Sequence, residues 1–232
     1  EKGKGFLYNK NGKKPPAAGR DKKREETCLI KIAQTPPMGW NSWDCYGAAV
    51  TEKEVRSNAE YIARHMRSHG WEYVVVDILW FDPEAEDSQY TPYGDICIDE
   101  YGRVIPAVNR FPSAEGGKGF GPLAEYVHSL GLKFGIHIMR GVPRKAVYAR
   151  CPVKGTELTC RDIAHRNDNC SWNTDMYGVD CMRPGAQEYY DSIFELYAQW
   201  GVDYVKVDDI SFPYHGGEIE LVHNAIEHSG RD

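Results

Sequence analysis

After Thr35-Pro36-Pro37 the apolar and polar positions follow one repeated order: a short apolar run, a polar or acidic residue at its end, a loop, and an amphipathic stretch stopped by glycine. The first run lies at Met38-Gly39-Trp40 in preference to Leu29-Ile30-Lys31-Ile32. A helix then starts at Thr51, where Thr51 and Glu54 spell a capping box, and Val55, Ala59, Ile62, Ala63 and Met66 recur at helical spacing up to Gly70. Residues 73–79 (YVVVDIL) are β-branched or aromatic without alternation, as in a strand buried on both faces, and Asp77 interrupts them. A helix over 122–130 with Leu123, Val127 and Leu130 on one face, a strand over 133–139, a helix opened by Pro184 and closed by Gly201, a strand over 204–208 and a last helix over 218–228 complete the pattern.

Strands alternating with helices predict an α/β fold with parallel connections. No glycine-rich phosphate fingerprint follows the first strand, so a dinucleotide-binding sheet loses its main support. A (β/α)8 TIM-barrel type fits better, with only about the first four βα units in this chain, because such barrels run to about 250 residues. The connection from Arg140 to about Met182 is too long to be structureless without a task, and covering a site is the expected one.

Composition narrows the function. The 232 residues are 41% hydrophobic and 12% aromatic, enough for a sizeable core, and no apolar run approaches the roughly 18 residues of a membrane span. Net charge is -6, unevenly divided: residues 1–27 hold nine Lys/Arg against four Asp/Glu, a net of +5, so the remaining 205 carry -11. We read 1–27 as a basic, flexible extension and 28–232 as a partial catalytic domain. An acidic body with pI near 5.8 argues against nucleic acid as a partner. None of the seven cysteines forms a CxxC pair, which speaks against zinc; Cys151, Cys160, Cys170 and Cys181 fit either one or two disulfides or free thiols. The chain opens at Glu1 without a charged-then-apolar leader.

Parallel α/β folds place reactive groups at strand C-termini, which singles out Trp43, Asp77, His137 and Asp208. One such Asp is as often a cap for the next loop as a functional group; three ionisable positions together favour a site. Lys206 and Asp208 share a strand face, so the ammonium is expected to hold Asp208 ionised, while Asp209 starts the loop as a supporting or capping residue. His137 reads equally as a hydroxyl-binding residue or a core histidine, and Trp43 and Trp80 as sugar-ring walls or core.

The order of motifs makes the resemblance specific. Residues 35–43 (TPPMGWNSW), 70–73 (GWEY), 110–112 (RFP), 131–136 (GLKFGI) and 200–208 (WGVDYVKVD) resemble, in sequence, glycoside hydrolase family 27, the α-galactosidase and α-N-acetylgalactosaminidase family, over about 35–230. The resemblance implies a retaining glycosidase on a (β/α)8 barrel that needs no cofactor, with a terminal galactose-like sugar as substrate. It implies Asp208 as nucleophile, Trp43, Asp77 and Lys206 as sugar-binding residues, and His137 in the place of a pocket tyrosine. Trp172 and Asp175 are candidates for a lid, against an ordinary surface insertion.

Three departures stand out. The family's Asp-Asp-Cys-Trp after strand two is Asp77-Ile78-Leu79-Trp80 here, so an acceptor on the galactose O4/O6 side becomes Ile78, and a sugar without the hydroxymethyl group, β-L-arabinopyranose, is expected to fit. The family's cysteine pair falls on Lys145 and Ile210. The family's acid/base aspartate follows a sixth strand, which implies a truncated form lacking that group. The alternative is a non-catalytic truncated paralogue that binds galactose-like glycans or is a structural remnant. A Schiff-base lyase using Lys206 is a weaker third reading. Glycan breakdown is commonly an extracellular or periplasmic task.

Overall fold

The computed structural model describes residues 35–231; the basic extension at 1–27 and the Leu29–Ile32 run lie outside them. Its frame is a four-stranded parallel sheet in sequential order: β1 (Gly39–Asn41), β2 (Tyr73–Val76), β3 (Lys133–Met139) and β7 (Tyr204–Asp208). Between them run α1 (Trp43–Tyr46), α2 (Glu52–His65), α3 (Gly121–Ser129) and α6 (Ala186–Gln199), and α7 (Gly216–Ser229) follows β7.

The predicted local signals form. Thr51 and Glu54 close the capping box of α2, whose Val55, Ala59 and Ile62 are buried. Leu123 and Val127 of α3, and Tyr189, Ile193, Phe194 and Tyr197 of α6, cover the sheet's outer face, where Val74, Val76, Phe134, Ile136 and Ile138 point. Each fully buried aliphatic or Phe side chain contributes about 1.5–3 kcal/mol. Trp80, Phe111, Phe120, Phe134 and Trp200 join them edge-to-face with centroids 5.1 to 6.3 Å apart. At Gly39 the strands approach so closely that any Cβ would strike the Tyr73 carbonyl.

Three boundaries differ from expectation. Strand β2 stops at Val76 and not at Leu79, because the backbone turns after Asp77 and Leu79 takes a left-handed φ of 64°. Pro184 precedes α6, which is capped by Gly185 at φ 90°, so the proline stands outside the first turn. The long connection is built: β4 (Val142–Pro143), α4 (Arg144–Ala149), α5 (Cys160–Ile163), β5 (Ala164–His165) and β6 (Met176–Val179), with a small antiparallel sheet in the order β4-β6-β5. Local hydrogen bonding and buried residues such as Val153, Ile163, Met176 and Tyr177 give it a core of its own.

Candidate active site

Register brings the site together. Val76 pairs with Ile136, so Asp77 comes level with His137, and His137 pairs with Lys206. With side chains alternating along each strand, Asn41, Val75, Asp77, His137, Lys206 and Asp208 share one face of the sheet. Towards its lower end a cavity of about 160 Å³ opens among Gly39, Asn41, Tyr73, Val75, Tyr204 and Lys206.

Asp77 is held on all sides. Its Oδ2 accepts from Lys206 Nζ at 2.8 Å and Asn41 Nδ2 at 2.6 Å, its Oδ1 accepts from the Ile78 N–H at 2.8 Å, and its own N–H donates to Ser42 Oγ at 2.9 Å. Burial pushes this carboxyl up, but the His137 charge, the Lys206 ammonium, the Ile78 N–H and Asn41 together hold it below the usual carboxylate range.

Asp208 is more open, with its side chain 38% exposed. Its Oδ2 lies 3.1 Å from His137 Nε2, and its Oδ1 accepts from the Asp209 N–H at 2.7 Å. The His137 hydrogen bond is the main reason its carboxyl lies low, acting against desolvation, with the Asp209 N–H and the charges of His137 and Lys206 adding to it. The site thus holds one buried, fully engaged carboxylate and one reachable, oriented carboxylate.

Several expected contacts are corrected. Lys206 pairs directly with Asp77 and reaches Asp208 only through space, since the β3–β7 register sets Lys206 beside His137 and Asp77 while Asp208 stands one alternate position further on. His137 is fully buried, so it serves Asp208 and has no surface for a hydroxyl. Ile78, expected to face the sugar, is 2% exposed within the apolar core. Trp80 is core: it has no exposed surface, and its Nε1 donates to the His137 carbonyl at 2.8 Å.

Trp43 is half-buried, and its backbone N–H donates to Asn41 Oδ1 at 2.9 Å. It stacks on Tyr90 at 6.1 Å with an 8° interplanar angle, and Tyr90 meets Trp172 at 5.5 Å. The Tyr90 hydroxyl is pushed up by burial and by the charges of Asp77 and Asp208. Of the two lid candidates, only Trp172 joins this aromatic stack; Asp175 is buried, which drives its carboxyl up to about 6. Cys45, Cys97, Cys151, Cys160, Cys170 and Cys181 all carry free thiols, so the disulfide option is not realised among the described residues. Lys145 bonds Asp95 at 2.6 Å where the family's cysteine was expected.

Asn41, Ser42, Tyr90 and Arg140 were not marked by sequence. Asn41 carried a signal, standing on the Trp43 side of the first motif at a strand end. Tyr90 and Arg140 lie in loops whose course no periodicity reveals.

The family profile described as Melibiase_2, Alpha galactosidase A, matches residues 35–182. This chain belongs to that family, the α-galactosidase family 27 of glycoside hydrolases. It is 31% identical over 181 residues to Alpha-galactosidase A of Cellvibrio japonicus and 28% identical over 179 residues to the Alpha-galactosidase of Cyamopsis tetragonoloba, each match covering 77% of this chain and 31% of the relative. Among solved structures it resembles Abp, a GH27 β-L-arabinopyranosidase from Geobacillus stearothermophilus, at 62% identity and TM-score 0.84, over 86% of this chain and 47% of that one. The chain therefore spans about a third of the length of the curated relatives and about half of the arabinopyranosidase.

Proposed function

We propose that the protein carrying this chain is a retaining glycosidase that cleaves terminal β-L-arabinopyranosides in preference to α-D-galactosides by double displacement, with Asp208 as the nucleophile. The observation that carries the reading is the division of labour between the two carboxylates. Asp208 is ionised, half open and oriented through both oxygens, as attack on an anomeric carbon requires. Asp77, buried and bonded to Lys206, is too acidic to donate a proton at neutral pH, and instead accepts from sugar hydroxyls with Lys206 beside it. Retention requires a second carboxyl about 5–5.5 Å from the nucleophile, giving and then taking a proton; we assign that role to a group other than Asp77, in the part of the barrel that completes the four strands described.

Trp43 supplies an apolar wall for the sugar ring, with Tyr90 and Trp172 extending it. Ile78 sets the sugar preference: it offers no acceptor for a hydroxymethyl hydroxyl, so the galactoside gains nothing from the group that arabinopyranose lacks. The 62% identity to an arabinopyranosidase supports the same choice.

The test is hydrolysis of p-nitrophenyl β-L-arabinopyranoside and α-D-galactopyranoside by the polypeptide of the complete reading frame, beside its Asp208→Asn variant. Higher kcat/KM on the arabinopyranoside, abolished in Asp208→Asn, is expected. Strong preference for the galactoside would reject the role of Ile78, and a well-folded protein inert on both would leave a glycan-binding protein or a structural remnant.

A further inference from the structure

Asp209 stands at φ 59°, in the left-handed region that residues with a Cβ adopt uncommonly, Asp and Asn more readily than the rest. Its backbone N–H is what reaches Asp208 Oδ1 at 2.7 Å. Against this turn packs Arg140, the first residue after β3, whose side chain is 3% exposed. The Arg140 N–H donates to the Asp208 carbonyl at 3.2 Å, and its Nε lies 2.7 Å from the Asp209 carbonyl and 3.0 Å from Asp209 Oδ2. Backbone and guanidinium thus hold the two peptides that flank Asp209, 208–209 through the Asp208 carbonyl and 209–210 through the Asp209 carbonyl.

The rest of the guanidinium is anchored elsewhere. Its two terminal nitrogens donate to Asp168 at 3.0 and 2.8 Å, and one also donates to Glu218 of α7 at 2.9 Å. Glu218 in turn accepts from the Tyr190 hydroxyl of α6 at 2.5 Å. A planar fork with a partner on every nitrogen has one orientation, so it ties α6, α7 and the long connection to Asp209.

We infer that Arg140 is a positioning residue for the nucleophile: by clamping Asp209 in its left-handed turn it keeps the Asp209 N–H on Asp208 Oδ1, leaving His137 to hold Oδ2. The inference rests on the reading of Asp208 as nucleophile. Without the clamp, Asp209 relaxes to a negative φ, its N–H leaves Asp208, and the carboxylate loses one of its two orienting contacts. The groups that then govern its charge are His137 from β3, Lys206 from β7, and Asp77 and Tyr90 from the segment after β2.

The test uses the polypeptide of the complete reading frame and an Asp209 series: Gly, Asn, Ala and Val. All four remove the carboxylate, so they differ chiefly in how easily the backbone turns left-handed. The expected kcat on an aryl glycoside falls in that order, by about tenfold or more from Gly to Val, with KM little changed and the acid limb of kcat/KM moving to higher pH in step. Arg140→Lys, which keeps the charge facing the buried carboxylates but loses the fork, is expected to lower kcat about tenfold, and adding Asp209→Gly to recover most of it, because glycine needs no clamp. A flat series, or a loss in Arg140→Lys that Asp209→Gly does not recover, overturns the inference and leaves Arg140 a purely structural ion-pair hub. Trapping with a slow-turnover fluorinated glycoside separates the two levels. A label on Asp208 with a flat Asp209 series rejects the positioning role alone; a label on another residue rejects the nucleophile assignment and the positioning role with it.

Discussion

Lys206→Met isolates the ion pair at the floor of the site. Asp77 is 3% exposed and Lys206 is 40% exposed, with 2.8 Å between Oδ2 and Nζ. Breaking a fully buried pair costs about 3–5 kcal/mol, whereas an exposed pair contributes about 0–1 kcal/mol. With one partner in solvent, and with Asn41 and the Ile78 N–H still bonded to Asp77, the lower part of that interval applies: about 1–2 kcal/mol. For a protein of this size that corresponds to a fall in Tm of about 2–8 °C. The sign of the pH dependence follows from the lowered Asp77 pKa. Its stabilisation is present above the unfolded carboxylate value of about 3.9 and is lost as pH falls through the lower folded value. Thermal unfolding followed by circular dichroism from pH 7 to pH 3 should show a gap between wild type and Lys206→Met that stays constant down to about pH 4 and closes below it. Asp77→Asn combined with Lys206→Met should cost less than the sum of the two single changes. Additive losses, or a gap independent of pH, would refute the claim that the pair holds Asp77 in place.

Arg110 is buried and donates to the carbonyls of Leu79, Asp82, Ala48 and Val50, tying the loops after β1 and β2 together; Arg110→Met leaves these acceptors unpaired and is expected to cost about 3 kcal/mol or more in urea unfolding. His137→Phe removes the hydrogen bond that most lowers the Asp208 pKa, so the acid limb of kcat/KM should move to higher pH, and an unmoved limb would deny that contact its role. Cys160 is fully buried with its thiol pushed up to about 12, while Cys45 and Cys181 are exposed; iodoacetamide followed by peptide mapping should modify the latter two in the native protein and Cys160 only after unfolding.

Most of the frame was legible along the chain because its signals are local. The Thr51/Glu54 box, the apolar stripes of α2 and α6, and the runs that became β3 and β7 each depend on neighbours within one or two turns. The Arg140 to Met182 connection was not legible as structure, because its strands are two to four residues long and are stabilised by pairing with one another rather than by periodicity. Trp80 was ambiguous for a related reason: a strand-end aromatic can face the cleft or the core, and the turn at Leu79 decides.

By itself, the sequence determined the α/β class, the order of the elements and the placing of Asp77, His137, Lys206 and Asp208 at strand ends, since side-chain alternation and helix spacing are written in adjacent residues. Only the tertiary structure decided who pairs with whom. Lys206 belongs to Asp77 and His137 to Asp208 because of the inter-strand register and the two tight turns after Asp77 and Asp208. Arg140 reaches Asp209 because β3 and β7 end side by side, although the two residues stand far apart in the chain. Charge pairing at a few ångströms is fixed by positions that distant segments bring together, and no local pattern carries that information.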